Sequence, residues 1–368
     1  MKTDYRLALL MILTVAASGC ASTTNTDSSS GTGPISVNSF EAVPNPTSAD
    51  RPVSISLELE NTGGSDAEKV AATVFGPTFA QIKEDSDDVD SQTWRDSNGG
   101  QVGKKERWMN YGTLWAPGEN TPSVPERQSL SFTAPALSQG REVDYGFNAK
   151  IFYKYNTTGS TDFSLVSGKR FQEENMERTE TSLESSEGPI DLEIRGTTPK
   201  IFYRDDGESP SEQVTSEICV KVINEGTGTA FTGGETGNDN GRQYLQRENE
   251  NNYKENTVSL TVMDIGNIDL DVKGTPEDGD DNDAEIELVG GQEGFQCFRM
   301  QASDLGGTEE QNVNTQITAT YNYVKETETT VTVEGRRGLG GTPSNNNGGG
   351  EKSGNNNEAG ELPDTPGN

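Results

Sequence analysis

Apolar and polar residues alternate along this chain in short blocks, and Gly, Pro, Asn or Asp residues bound each block. A period of two is typical of half-buried β-strands, and no helical period of comparable strength competes with it. In the first half the predicted strands lie near 35–43, 52–60, 69–75, 110–114, 128–134, 143–155 and 161–167. In the second half they lie near 190–196, 213–223, 258–263, 268–273, 284–289, 295–301, 312–324 and 328–335.

This spacing of strands predicts an all-β fold with two tandem immunoglobulin-like antiparallel β-sandwich domains. The segments 156–160 and 325–327 are predicted to connect the two strands of the last hairpin in each half. The domains then span 33–172 and 188–336, with an acidic linker at 173–187.

The two halves also repeat each other in sequence, which indicates a duplicated domain. Two of the matches share an offset of 168 residues, so they hold one spacing through two predicted strands and the turn between them. The matched segments are 33–35 with 188–190, 55–61 with 218–224, 152–155 with 320–323, and 163–165 with 331–333.

The N-terminus combines a basic start, a short apolar stretch and a cysteine. Lys2 and Arg6 precede an apolar stretch at 7–16, and small residues then lead into Cys20. A membrane-spanning helix needs about twenty apolar residues, so this stretch is too short to be a permanent anchor. We therefore expect a signal peptide at 1–19, lipid on Cys20, and a flexible polar tether at 20–32. At the other end, the Gly- and Asn-rich segment 337–368 is predicted to be a disordered tail.

The net charge indicates the environment in which the protein works and the classes of partner that it disfavours. The chain has 60 acidic and 29 basic residues and a net charge of −31, spread through every segment. This composition is typical of halophiles, archaeal ones especially, because molar salt screens charge repulsion to about 3 Å. It disfavours nucleic acid as a partner, since phosphate binding needs a basic surface. The chain has no histidine, the commonest general base and metal ligand, so the sequence predicts no enzyme and disfavours a carboxylate-based hydrolase.

Two motifs carry a family resemblance. Glu60-Asn61-Thr62-Gly63-Gly64 follows one predicted strand, and Leu114-Trp115-Ala116-Pro117-Gly118-Glu119 precedes another. Together they resemble the CARDB-type adhesion-related domains of prokaryotic surface proteins. The second half echoes them at 224–228 and 288–293 but lacks the Pro of the Pro-Gly turn. The resemblance covers about 33–172 and 188–336; it implies spacers or binding modules at the cell surface and transfers no catalytic residues.

Cys219 and Cys297 are the only cysteines besides Cys20. Outside the cytoplasm such a pair is expected to be oxidised. Alternation within their strands places both on the outer face, and their repeat partners are Ser56 and Ser129. We therefore predict a disulfide between neighbouring strands of one sheet, which would stabilise the fold by about 4 kcal/mol through loop-closure entropy. Two free buried cysteines are the alternative.

An aromatic cluster marks the long insertion between the third and fifth predicted strands. Trp94, Trp108 and Trp115 lie there, with Tyr111 close in sequence. Exposed aromatic residues on a loop would form a binding face, whereas a long ordered loop also needs a small core of its own. If the protein has a ligand surface, we expect it at this insertion or at 231–257.

Two further motifs are candidates for modification or metal binding. Asn156-Thr157-Thr158 is a glycosylation sequon predicted to lie on a hairpin tip, where a glycan would be accessible. Asp278, Asp280 and Asn282 alternate as in a calcium loop, and 84–90 is similarly acidic. The glycine and the bidentate glutamate of the EF-hand pattern are absent, however. We therefore expect no cofactor, with calcium binding as the alternative.

Taken together, these features predict a lipid-anchored protein on the extracellular face of the cell membrane of a halophile. It would act as a structural, adhesion or display module, held to the membrane through lipid on Cys20, with envelope proteins or glycans as partners. The alternative is a solute- or calcium-binding accessory lipoprotein of a transporter or pilus system.

Overall fold

A computed structural model of the protein describes residues 33–76, 94–95, 107–203, 213–214, 216–239, 242–246, 253–263, 268–272, 282–302 and 309–335. These residues form 23 strands and one short helix, which confirms the prediction of an all-β fold. The elements of the first half are β1 (Ile35–Val43), β2 (Thr47–Ser48), β3 (Pro52–Asn61), β4 (Ala67–Phe75), β5 (Trp108–Leu114), β6 (Glu126–Thr133) and β7 (Glu142–Ser167). Between the halves lie α1 (Gly168–Glu173), β8 (Thr179–Glu180) and β9 (Glu184–Ser185).

The second half contains the remaining strands. They are β10 (Ile190–Arg195), β11 (Thr197–Thr198), β12 (Lys200–Tyr203), β13 (Gln213–Val214), β14 (Ser216–Asn224), β15 (Thr229–Thr232), β16 (Glu235–Asp239), β17 (Arg242–Gln246), β18 (Lys254–Glu255), β19 (Thr257–Val262), β20 (Ile268–Val272), β21 (Asp283–Glu287), β22 (Glu293–Ala302) and β23 (Glu310–Glu334).

Each half contributes a small antiparallel sheet that packs on one large shared sheet. The small sheets have the strand orders β1-β3-β6 and β10-β14-β22-β20, and the large sheet contains β4, β7, β19 and β23. Alternate residues of each strand enter the core, so Ile55 and Leu57 of β3 and Phe147 of β7 have no exposed surface. Burying each such side chain contributes about 1.5–3 kcal/mol.

The two halves exchange their last strands. β7 and β23 pair antiparallel over 25 consecutive residue pairs, from Glu142↔Glu334 to Val166↔Glu310. The first part of β7 also pairs with β4 of its own half, whereas its last part pairs with β12 of the other half. The first part of β23 likewise pairs with β19 of its own half, and its end pairs with β2 of the first half. Each half therefore completes its part of the large sheet with a strand from the other half.

The predicted hairpins at 156–160 and 325–327 are consequently wrong, because both segments lie inside continuous strands. Thr157 is fully buried and donates its hydroxyl hydrogen to the carbonyl oxygen of Ile190. Gly159 does not form a turn but allows a close approach, since a Cβ there would lie 2.8 Å from a methyl carbon of Leu183. Residues 157–167 thus complete the large sheet beside the second half, although the predicted domain boundary assigns them to the first.

The end of the acidic segment 173–187, which was predicted as a linker, packs along β7. Ser185 of β9 pairs with Gly159, and the backbone N–H of Ser186 donates to the carbonyl oxygen of Thr158 at 2.7 Å. The predicted tether and tail, at 20–32 and 337–368, lie outside the described residues.

The repeat seen in the sequence becomes a pseudo-two-fold axis in the structure. Lys154 pairs with Asn322, and these two residues are separated by the repeat offset of 168. On either side of this pair, Tyr153 faces Tyr323 and Tyr155 faces Tyr321. The axis therefore passes through the middle of the β7–β23 ladder and relates each half to the other.

Candidate functional site

The four aromatic residues predicted as a possible binding insertion do not form one surface. Trp94 has no exposed surface and packs edge-on against Tyr145 and Phe147, with ring centroids 5.6 and 5.0 Å away. Tyr111 is buried and donates its hydroxyl hydrogen to the carbonyl oxygen of Leu57 at 2.8 Å. Burial raises the pKa of Tyr111 well above its ordinary value. Trp94 and Tyr111 are therefore core residues and do not form an exposed binding face.

Trp108 belongs to a second, smaller apolar cluster. It lies half-buried on β5, with its ring 5.9 Å from that of Phe152 on the neighbouring part of the large sheet. Phe231 and Tyr253 join the same cluster and stack at 4.9 Å. Trp108 therefore joins the region around 231–257 to the large sheet.

Trp115 is the member of the set that lies at the surface, with 70% of its surface exposed. It begins the segment 115–125, which we call the Trp115 loop, and Val124 near the end of that loop is 74% exposed. Gly118 and Thr121 exchange two backbone hydrogen bonds across a tight turn, and Ala116 donates its N–H to the carboxylate of Asp66 at 2.8 Å. The loop thus presents an exposed tryptophan from an ordered backbone.

The second half carries exposed apolar residues at the matching place. Val289 follows Leu288 as Trp115 follows Leu114, and it is 77% exposed. Phe295 is 70% exposed and lies two residues beyond Glu293, the bridge partner of Val289, on the same face. These residues and the Trp115 loop are the candidate contact surfaces of the described residues.

The segment 231–257 is not the structural counterpart of the first insertion. Phe231 of β15 pairs with Asn322, and Ser259 of β19 pairs with Thr320. In the first half a single strand, β4, makes both corresponding pairings, at Lys154 and Phe152. The second insertion therefore interrupts a strand, whereas the first follows one.

The disulfide prediction is confirmed. Cys219 on β14 and Cys297 on β22 lie directly opposite each other with an S–S distance of 2.02 Å, and both are half-buried. Their repeat partners, Ser56 and Ser129, also lie directly opposite each other. In the first half Arg127 lies over this position and donates to the Ser56 hydroxyl at 2.8 Å.

The predicted position of Asn156 on a hairpin tip is wrong. Asn156 lies within β7, pairs with Thr320 and is half-buried. Its side-chain carbonyl oxygen is buried without a hydrogen-bond partner among the described residues. The glycosylation prediction thus loses the accessible tip on which it depended.

The remaining predicted positions mostly lie outside the described residues. Cys20, Asp278, Asp280 and the acidic segment 84–90 are among them. Asn282 is described, and its backbone carbonyl accepts a hydrogen bond from Val262 at 3.0 Å. Within the described ranges, one group of potential metal ligands comes close together, Glu217 with Cys219 and Cys297, and the disulfide occupies both sulfurs.

The motif that carries the family resemblance has a structural role in both halves. The side-chain amide of Asn61 donates to the carbonyl oxygens of Ser65 and Leu114, at 2.9 and 2.8 Å. The hydroxyl of Tyr155 accepts from the N–H of Ser65, and a Cβ on Gly63 would lie 2.3 Å from that hydroxyl oxygen. The second half repeats this arrangement with its own residues: Asn224, Gly228, Gly291, Tyr323 and Gly226. Asparagine, glycine and tyrosine thus hold this loop in both halves.

Comparison with protein families gives no match to any family model, and comparison with curated proteins gives none either. Within the described ranges, no helix is long and apolar enough to cross a membrane.

Proposed function

We propose that this protein is a lipid-anchored module of a halophilic cell envelope, and that its two immunoglobulin-like sandwiches act as one rigid spacer on the extracellular face of the membrane. The β7–β23 ladder carries this proposal, because it joins the halves through 25 residue pairs instead of a flexible linker. The Cys20 signal pattern supports the anchor, and the CARDB resemblance supports the class of protein.

Because of the ladder, the two sandwiches differ mechanically from independent domains joined by a flexible linker. Domains on a linker move independently, since few contacts cross the linker. Here, moving one half away from the other requires many inter-strand hydrogen bonds of β7 and β23 to break together. Each such bond contributes about 0.5–1.5 kcal/mol net, so their sum resists separation of the halves.

The surface charge fits an environment of high salt. Exposed or half-buried ion pairs do occur, for example Lys150 with Glu326 at 2.7 Å and Arg170 with Glu310 at 2.8 Å. Such pairs contribute only about 0–1 kcal/mol each. They do not offset the repulsion of a chain with a net charge of −31, which salt screens.

The anchor is tested by expressing the full chain in a halophilic host and comparing wild type with Cys20→Ser. We expect wild type in the membrane fraction, with mass analysis showing loss of 1–19 and a lipid on Cys20. The Cys20→Ser variant should not carry this lipid. Cys219→Ser is the matched control, because it removes a different cysteine and should leave the protein at the membrane. A wild-type protein with an intact leader or an unmodified Cys20 would contradict the proposal.

A second candidate function is partner binding through the Trp115 loop, which would fit an accessory lipoprotein. The observation in its favour is a tryptophan that is 70% exposed on an ordered backbone. Tryptophan fluorescence tests it, since Trp94 is buried and Trp115 should supply the quenchable, red-shifted emission. A blue shift on addition of envelope extract, absent in Trp115→Phe, would support binding; an unchanged spectrum would contradict it.

A further inference from the structure

Lys325 is a buried cation in the middle of the β7–β23 ladder. It is only 5% exposed, and its ammonium group donates to the carbonyl oxygen of Ile35 at 2.9 Å. An ammonium has three donors, and across the described part of the chain Lys325 has this one hydrogen bond and no acidic partner. Burying a charge without a counter-charge is unfavourable. Burial accordingly lowers the pKa of Lys325.

Tyr153 lies next to Lys325 on the same face of the ladder. It faces Tyr323, two residues before Lys325, and it has no exposed surface. Diagonal neighbours of this kind are about 7–8 Å apart at the backbone, within reach of long side chains. Among the described residues, the hydroxyl of Tyr153 has no hydrogen-bond partner. Two buried donor groups without enough acceptors therefore occupy adjacent positions.

The pseudo-two-fold axis supplies a reference for this position. Its equivalents in the other half are Thr157 for Lys325, Tyr321 for Tyr153 and Ile190 for Ile35. There the two hydroxyls meet at 2.8 Å, and Thr157 donates to the carbonyl oxygen of Ile190 at 3.1 Å. Diagonal side chains thus do meet across this ladder, and the hydroxyls of Thr157 and Tyr321 both have a hydrogen-bond partner.

The replacement of Thr157 by Lys325 changes the chemistry of the equivalent position. A threonine hydroxyl can donate to the backbone and accept from tyrosine at once, whereas an ammonium has no acceptor. The Tyr153 hydroxyl thereby loses the acceptor that its counterpart has. An acceptor within reach of both groups would satisfy the Tyr153 hydroxyl, and a negatively charged one would also neutralise the ammonium.

We propose that a chloride ion binds between the ammonium of Lys325 and the hydroxyl of Tyr153. A small monovalent anion accepts hydrogen bonds from both donors, and a site between diagonal neighbours favours a single ion over a polyatomic one. The assignment is independent of the lipid anchor and of the envelope function. It makes the exchanged ladder dependent on one specific anion as well as on general screening by salt.

The test measures unfolding of the full chain at constant ionic strength while chloride replaces gluconate. A site present only in the folded state makes the logarithm of the folding equilibrium constant rise with the logarithm of chloride concentration. We expect the slope for wild type to exceed that for Lys325→Thr by up to one, with Tyr153→Phe between them. Lys325→Thr should fold, because threonine occupies the equivalent position at 157.

Lys200→Thr is the matched control. Lys200 is also buried, at 7% exposure, and donates to the carbonyl oxygen of Glu217 at 2.9 Å. This variant should keep the wild-type chloride slope. Equal slopes for wild type and Lys325→Thr would overturn the proposal. If Lys325→Thr fails to fold, crystals of the wild-type protein grown in bromide provide a second test. An anomalous peak between Lys325 and Tyr153 would support the proposal, and the absence of such a peak would overturn it.

Discussion

A pair of engineered cysteines can distinguish exchanged strands from closed hairpins. Lys150 and Glu326 face each other directly in the β7–β23 ladder, with their charged groups 2.7 Å apart. Opposed residues of antiparallel strands have Cα atoms about 4.5–5.5 Å apart, which suits a disulfide. We expect Lys150→Cys/Glu326→Cys, made in the Cys20→Ser background, to form an internal disulfide during oxidative folding.

The size of the effect follows from the loop that the new bond closes. Loop-closure entropy for a segment of this length corresponds to about 5 kcal/mol. Loss of the exposed ion pair costs at most about 1 kcal/mol. A net gain of about 4 kcal/mol should raise the thermal midpoint by about 10 °C, with mass analysis of the unreduced digest showing the cross-linked peptides.

Thr320→Cys/Thr332→Cys is the converse control. A hairpin closing at 325–327 would bring these two positions together. In the exchanged structure Thr320 pairs with Asn156 and Thr332 pairs with Asp144. They are therefore about 40 Å apart along one extended strand. A cross-link at this second pair, and none at the first, would refute the strand exchange.

Other changes separate structural roles from surface ones. Gly63→Ala should cost about 2–4 kcal/mol, because the new methyl group would overlap the hydroxyl of Tyr155, whereas Gly118→Ala, with its nearest neighbour at 3.8 Å, should change the free energy of unfolding little. Trp94→Ala should cost about 3–5 kcal/mol as a core truncation, and Trp115→Ala less than about 0.5 kcal/mol, both by chemical denaturation. Burial raises the pKa of Tyr155 to about 12, so the unfolded chain loses this proton at a lower pH than the folded protein does. The free energy of unfolding should therefore fall as pH rises from about 10 to 12. It should fall less steeply in the Tyr155→Phe variant.

Alternation along the chain was enough to predict the all-β fold and most strand positions. It also predicted the Cys219–Cys297 bond between neighbouring strands, because the phase of Ile218, Val220 and Val222 left Cys219 on the other face. These predictions succeed because they depend on local period and on which face is buried. Neither property depends on the partner of a strand.

The exchange escaped prediction because a hairpin and a continuous strand can have the same local composition. Asn156, Gly159 and Ser160 are typical turn residues, which favoured a hairpin there. One signal did point the other way: Tyr155, Thr157 and Gly159 keep the buried phase through the segment without a break. A glycine is needed at position 159 because Leu183 packs against it. This contact is distant in sequence, so the alternation of apolar and polar residues does not reveal it.

The aromatic insertion was ambiguous for a similar reason. Trp94 and Trp115 lie close in sequence, yet the first is fully buried and the second is 70% exposed. Burial of Trp94 depends on its contacts with Tyr145 and Phe147, which lie far along the chain. Residue type alone did not separate these roles.

The β7–β23 ladder also affects which duplications and deletions of the gene leave a protein that can fold. Bead-like repeats can be gained or lost singly by recombination, because every copy closes its own sheet. Here, deletion of either copy would remove the strand that completes the survivor, as the pairing of β7 with β12 and of β23 with β2 requires. We therefore expect the two copies to be retained or lost together.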